Sequence, residues 1–159
     1  MYKYCFDSPI GTITCYHREG KLHRLVLPVR EGKVFSENLP EKDFPLLKDY
    51  LISYFENKGK DMNLMNLDIP VNLNATPEFT TKVLMKVKEI PWGRTVTYKE
   101  ISLALEGRPD YSRAVGNALK ANPCPIVISC HRVIKSDGGL GGFSGGMDLK
   151  RWLLNFEGR

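Results

Sequence analysis

Three histidines, His17, His23 and His131, are all this 159-residue chain has, and only His131 lies in its second half. Any imidazole chemistry there falls to that one residue. Cysteines number four: Cys5, Cys15, Cys124 and Cys130. They could pair, but the N-terminus, Met1-Tyr2-Lys3-Tyr4-Cys5, lacks the apolar core of a secretory signal, so reduced thiols in a cytoplasmic setting are expected. No apolar run is long enough to cross a bilayer, so no membrane partner is expected. The spacing of Cys5, Cys15, His17 and His23 matches no standard zinc pattern, and no metal is expected. The glycine-rich stretch Gly138 to Gly146 has neither a dinucleotide fingerprint nor a P-loop lysine, which argues against a phosphate-bearing cofactor. Repeats and low-complexity tracts are absent too. What remains, 42% hydrophobic and 26% charged residues, describes a globular chain of one ordinary domain or two small ones.

The net charge of +5 is unevenly placed. Residues 1–76 carry 10 Lys/Arg and 10 Asp/Glu, whereas residues 77–159 carry 13 and 8. The whole excess therefore lies in the second half. Residues 94–135 concentrate it, with seven basic side chains against three acidic ones. Such a surface attracts polyanions, nucleic acid first among them.

Patterning divides the chain into an α/β N-terminal domain, residues 1–75, and a mostly α domain, residues 76–159. Tyr2 to Phe6, Ile10 to Tyr16 and Leu22 to Leu27 alternate like antiparallel strands, with turns at Pro9-Ile10-Gly11 and Glu19-Gly20-Lys21. Phe44, Leu47, Leu51 and Tyr54 recur at helical spacing between Asp43 and Phe55, so a helix should cover this small sheet. A linker with one short strand near Leu67 to Leu73 follows. Thr76-Pro77 then opens a helix with the apolar stripe Phe79, Val83, Val87 and Ile90, Pro77 taking the first helical position. Thr97-Tyr98-Lys99-Glu100 is a capping box opening the next helix. Gly107-Arg108-Pro109 breaks it, Asp110 or Ser112 caps a third helix, and Asn122-Pro123 ends that one. Two short helices around a tight turn make a helix-turn-helix candidate. Pro125 to Ile128 reads as a buried strand, and Leu149, Trp152, Leu153 and Phe156 as the core stripe of a last helix.

The third helix, Ser112 to Ala121, has little bulk. Ala114, Ala118 and Ala121 share a face, and Gly116 sacrifices about 1 kcal/mol of helix propensity. Close packing in a core explains such residues as well as entry into a narrow DNA groove about 6 Å wide. On the second reading Arg113, at the helix start, slides between bases.

Downstream stands Ile128-Ser129-Cys130-His131-Arg132-Val133. Cys130 is a potential thiolate nucleophile, a form that neighbouring His and Arg charges favour, and His131 is the candidate base. In a continuing strand the two side chains would point to opposite faces, so they cooperate only if the chain turns there, and then through a water. Glu157 is the candidate to orient His131, although on sequence spacing alone a solvated helix-end carboxylate is the better account of it. Gly142-Phe143-Ser144-Gly145-Gly146 matches a hydrolase nucleophile elbow, but no histidine follows it, so the match fails. The glycine-rich stretch reads instead as a lid whose backbone meets a planar ligand.

Pro91-Trp92-Gly93, Val96-Thr97-Tyr98, Arg113-Ala114-Val115-Gly116, Asn122-Pro123, Cys130-His131-Arg132-Val133 and Ser144-Gly145-Gly146 together resemble the O6-alkylguanine-DNA alkyltransferase family. Residues 1–75 resemble its N-terminal domain more loosely. The resemblance implies a ribonuclease H-like N-terminal domain and a winged helix-turn-helix-like second one. It implies a monomer acting on double-stranded DNA through the minor groove, without a cofactor. Cys130 would accept the alkyl group irreversibly, with His131, a water and Glu157 taking its proton, Tyr98 rotating the nucleotide and Asn122 bracing the turn. Arg113 would be the intercalating finger among DNA contacts at Ser112, Ala114, Ala118, Tyr98 and Arg132. Val133, Phe143, Ser144 and Trp92 would form the base pocket. Ser129 stands where relatives usually have Pro, which should loosen the turn, and Phe143 where many have Tyr. The alternatives are a lesion-binding protein that flags damage without repairing it, which the presence of Cys130 opposes, and a cysteine hydrolase, which the adjacent Cys–His order disfavours.

Overall fold

The structure, a computed structural model, describes residues 1–28, 38–56, 58–61 and 65–159. The chain forms two compact units, Met1–Asn72 and Leu73–Arg159, dividing three residues before the expected boundary.

In the first unit β1 (Tyr2–Ser8), β2 (Gly11–Arg18) and β3 (Lys21–Val26) form an antiparallel meander in that order. The first turn needs Gly11, whose φ is +112° and whose added Cβ would come within 2.9 Å of Pro28. Helix α1 (Pro45–Phe55) carries proline in its first turn, where no amide hydrogen is required, and buries Leu47, Leu51 and Tyr54 as the spacing predicted. Phe55 stacks on Phe6 of β1, and Phe44 on His17 of β2. The expected strand near 67–73 is reduced to one bridge, Leu22 to Val71. The Leu22 amide donates to the Pro70 carbonyl and the Asn72 amide returns to Leu22, but Pro70 has no N–H with which to extend a ladder. Residues 57 and 62–64 of that linker lie outside the described residues. None of the four cysteines is joined in a disulfide.

The second unit begins with α2 (Glu78–Lys88), which buries Val83 and Leu84 together with Val87. Pro77 stands just outside it, with ψ at 148°, so it caps the helix instead of taking its first position. Strand β4 (Val96–Thr97) leads directly into α3 (Tyr98–Glu106). The capping box forms as read: the Glu100 amide donates to Thr97 Oγ1 at 3.1 Å, and the Thr97 amide to Glu100 Oε2 at 2.6 Å. Gly107, left-handed at φ +70°, ends α3. A 3-10 turn (Pro109–Tyr111) then leads into α4 (Ser112–Lys120). The fully buried Ser102 fastens this turn, donating to the Arg108 carbonyl and accepting from the Tyr111 amide. Neither Asp110 nor Ser112 caps α4, because the turn runs into the helix without a break and the Ser112 hydroxyl donates back to the Pro109 carbonyl at 2.7 Å.

Pro125 to Ile128 is not a strand. It is a buried turn closed by a Pro125–Ile128 bridge, with β-branched Ile126 at φ +72°. That conformation costs on the order of 1–3 kcal/mol and needs support. Asn122 gives it, donating from Nδ2 to the Ile128 carbonyl at 2.9 Å and accepting the Cys124 amide at Oδ1 at 3.0 Å. The chain then makes a second 3-10 turn, Cys130–Arg132, and enters β5 (Val133–Ile134), which pairs in parallel with β4. Helix α5 (Met147–Phe156) closes the unit. Its buried side is rotated by one position from the predicted stripe, to Lys150, Leu153 and Leu154, with Glu157 buried just beyond. Among the described residues no helix is long and apolar enough to cross a membrane.

Candidate active site

The turn at Cys130–Arg132 supplies the change of direction that cooperation between Cys130 and His131 required. Both are buried, Cys130 with 5% of its surface exposed and His131 with none. The His131 Nε2 lies 2.6 Å from Glu157 Oε1. Glu157 is therefore no solvated helix end: it meets the turn from the far end of α5. Arg132 holds the same carboxylate with two further bonds, Nε to Oε2 at 2.8 Å and Nη2 to Oε1 at 2.9 Å, and its Nη1 donates to the Ile90 carbonyl.

This arrangement sets the protonation states. Burial alone would raise the Glu157 pKa, but hydrogen bonds and charge from His131 and Arg132 outweigh it and hold the carboxyl at about 2. An ionised carboxylate only accepts, so the His131 Nε2 carries the proton and Nδ1 is the basic ring nitrogen. Burial lowers the His131 pKa, against the opposing pull of Glu157, and keeps the ring neutral.

Burial likewise pushes the Cys130 thiol up. The groups that oppose this are the Asn122 side chain, the Lys150 charge and the backbone amides of Cys130 and His131. The expectation that His131 and Arg132 charges would favour the thiolate is thus corrected: His131 is neutral, and Arg132 is engaged with Glu157. Lys150 escaped the sequence reading because a lysine between apolar helix residues is read as solvent-facing. Its signal was the spacing Lys150, Leu153, Leu154, Glu157, which puts two charges and two leucines on one face.

Cys130 opens on a pocket of about 420 Å³. One wall is α4, through Ser112, Arg113, Gly116 and Asn117; Tyr98 of α3 adjoins it, and Gly141 to Ser144 form the other lip. Tyr98 is held between these walls. Gly116 leaves room for its ring, with an added Cβ only 3.7 Å away, and the Gly142 backbone hydrogen-bonds its hydroxyl. A Cβ on Gly141 would collide with that hydroxyl and stand 2.8 Å from Tyr98 Cε2. The Phe143 ring meets His131 edge-on at 6.4 Å.

Several expected site residues lie elsewhere. Arg132 is 3% exposed and saturated by Glu157 and Ile90, so it is unavailable to DNA. Ala118 is buried, which makes core packing the reason for its small size, while Ala114 is half-buried outside the pocket lining. Trp92 packs edge-on against Phe156, which stacks on Trp152, so it belongs to the α5 core and not to the pocket. Val133 is fully buried, and its carbonyl accepts from Lys150 at 2.6 Å. Ser129 does not loosen the turn, since its buried hydroxyl donates to the Val87 carbonyl at 3.0 Å. In the first unit Cys5 is exposed, Cys15 is buried, and His17 bonds the Lys42 carbonyl. Among the described residues, no group of three or more His, Cys, Asp or Glu is placed to hold a metal ion.

Fold and site define a class: a helical unit that sets a buried cysteine and a histidine–carboxylate pair beside an open pocket. Comparison with known proteins narrows it. Residues 78–159 match the family model described as 6-O-methylguanine DNA methyltransferase, DNA binding domain. A methylated-DNA–protein-cysteine methyltransferase of Metallosphaera sedula is 40% identical over 96% of this chain and 90% of its own length. One from Saccharolobus islandicus is 48% identical over 105 residues, 66% of this chain and 63% of that one. Mycobacterium tuberculosis OGT, solved in complex with DNA, superposes with a TM-score of 0.82 at 31% identity, over 99% of this chain and 92% of that one. The chain belongs to the 6-O-methylguanine DNA methyltransferase family.

Proposed function

We propose that this protein repairs DNA by direct reversal, moving the alkyl group of O6-alkylguanine onto Cys130 once per molecule. One observation carries the reading: Cys130 faces a pocket of about 420 Å³ on a turn where His131 and Glu157 are hydrogen-bonded at 2.6 Å. Relatives named as methylated-DNA–protein-cysteine methyltransferases and a relative solved with DNA support it.

The O6 alkyl carbon lies inside the stacked duplex, beyond reach of a buried thiol, so the nucleotide must be extruded first. A pocket of this size suits one base. The exposed edge of α4 approaches the duplex from the minor groove, with Arg113 filling the gap left in the stack and Ser112 and Ala114 beside the backbone. Tyr98 turns the nucleotide and bonds the base. Backbone groups around Ser144 read guanine, and Phe143 lines the apolar side. Asn122 braces the turn before Cys130. The thiol proton passes through a water to His131 Nδ1, and Glu157 stabilises the imidazolium. The Cys130 Sγ then bonds to the alkyl carbon as the C–O6 bond breaks. The released electron pair restores the guanine carbonyl, and the proton ends on the base. A thioether is a poor leaving group, so no second turnover follows.

The finer assignments accompany this reading: a ribonuclease H-like first unit, a winged helix-turn-helix-like second unit in which β4 and β5 belong to the wing, a monomer on DNA, and a cytoplasmic site of action. The test is incubation with an oligonucleotide carrying labelled O6-methylguanine, followed by peptide mapping. One methyl per molecule on Cys130 is expected, with none transferred to Cys130→Ser. A bound but unmodified protein would favour lesion flagging, and repeated turnover would favour hydrolysis.

A further inference from the structure

Helix α5 carries a fully buried lysine. An ammonium withdrawn from water costs several kcal/mol unless its donors are satisfied. Among the described residues, Lys150 donates to carbonyls and not to a carboxylate: Val133 at 2.6 Å and Gly142 at 3.3 Å. These two acceptors belong to different segments of the unit. Val133 opens β5 immediately after the Cys130 turn, and Gly142 lies in the glycine lip. Through its backbone Gly142 also holds the Tyr98 hydroxyl, and Lys150 Nζ stands 6.0 Å from the Tyr98 ring centroid. One ammonium thus joins the acceptor strand to the lip and, through the lip, to Tyr98.

The position also bears on the sulfur. The other charged and titratable groups around Cys130 are accounted for. His131 is neutral, Arg132 and Glu157 neutralise each other, and Tyr98 has its pKa raised by burial. On the pocket wall Lys99, Arg113, Lys120 and Lys135 are exposed, so solvent screens them. Lys150 is buried and holds the carbonyl of Val133, three residues after Cys130, so its charge acts on the sulfur without solvent screening and the attraction is mutual. Burial brings the lysine down to about 8, and the Cys130 charge pulls it back up, so the ammonium form dominates at neutral pH.

We propose that Lys150 is a positioning residue for the acceptor: its ammonium clasps the glycine lip to β5 and supplies the positive charge against which the Cys130 thiolate forms. This rests on reading Cys130 as the acceptor. Forming the thiolate breaks only the S–H bond, and the proton leaves for His131 through the water relay.

The test compares Lys150→Met, which keeps length without charge, Lys150→Gln, which keeps a donor without charge, and Lys150→Arg, which keeps charge. Thiolate absorbance is titrated against pH, with the matching Cys130→Ser protein as blank. Both neutral variants should move the Cys130 titration upward by about one unit, or about tenfold less thiolate at a fixed pH. They should slow transfer from an O6-methylguanine oligonucleotide by about the same factor near neutrality, with rates converging toward wild type at high pH. Lys150→Arg should recover most of the titration. An unchanged titration in whichever neutral variant folds by circular dichroism overturns the proposal, as does a shift that Lys150→Arg reproduces in full. The titration needs no DNA, so it remains decisive for Lys150 even where wild type fails to take the methyl group and the acceptor reading falls.

Discussion

The two sides of the pocket are built on opposite principles. On the acceptor side the groups around Cys130 are buried and tied: Arg132 and the neutral His131 to Glu157, Lys150 to two carbonyls. On the α4 side Arg113, Asn117 and Lys120 follow one another at helical spacing and are exposed to solvent. The difference separates two tasks. A thiol that must lose its proton in a low-dielectric place needs neighbours fixed in advance, because misplaced charges there are costly. A surface that meets a polyanion gains from solvated cations that displace counterions on contact. Substitutions on the first side should therefore change stability and chemistry together, and those on the second should change binding with little effect on stability.

The largest effect is expected from Glu157→Gln. It leaves Arg132 as an uncompensated buried cation, which should cost about 3–5 kcal/mol in urea unfolding and abolish transfer. The same pair predicts a pH dependence. The Glu157 carboxyl titrates at about 2 in the folded protein and about 4.3 unfolded, so its stabilisation is complete above about pH 5 and lost as pH falls toward 2. Acid unfolding of Glu157→Gln should lack that component, and a curve parallel to wild type would break the claim that the acceptor side is tied through this carboxylate.

Gly141→Ala comes next. The added methyl displaces Tyr98 and strains a backbone at φ +71°, so duplex repair should fall by about tenfold or more, while the thiolate titration of Cys130 stays at its wild-type position. Arg113→Ala sharpens the other half of the comparison. It should leave unfolding within about 0.5 kcal/mol of wild type and slow repair of duplex DNA far more than reaction with the free modified base. Equal losses on the two substrates would remove the finger role. The smallest effect is expected from Tyr98→Phe, which loses one hydroxyl bond worth about 1 kcal/mol and should slow duplex repair about fivefold. A wild-type rate would leave Tyr98 with packing alone.

Local signals in the sequence translated directly into structure. The Thr97–Glu100 capping box, the stop at Gly107 and the end of α4 before Pro123 depend on a few adjacent residues, and each formed where read. Cys130, His131 and Glu157 were legible as chemical types, but their meeting was not, since 25 residues separate His131 from the far end of α5. Two misreadings have one cause. Pro125 to Ile128 looked like a strand because it is apolar, yet its burial comes from a turn held by Asn122. The α5 stripe was set one position off because hydropathy marks Leu149, Trp152, Leu153 and Phe156, whereas Lys150 and Glu157 are buried with their partners. Long-range pairing overrode hydropathy in both cases. The same applies to Ala118, whose small side chain answers to packing, while the exposed edge of α4 begins with Arg113.

Lys150 and Glu157 hang from one helix, seven residues or about two turns apart. That spacing makes α5 a ruler. One residue inserted or deleted between them would swing either charge by about 100° around the helix axis, out of its place in the core. Point substitutions on the outer side of α5 leave the ruler intact, so homologous sequences are expected to vary freely there in composition but not in length.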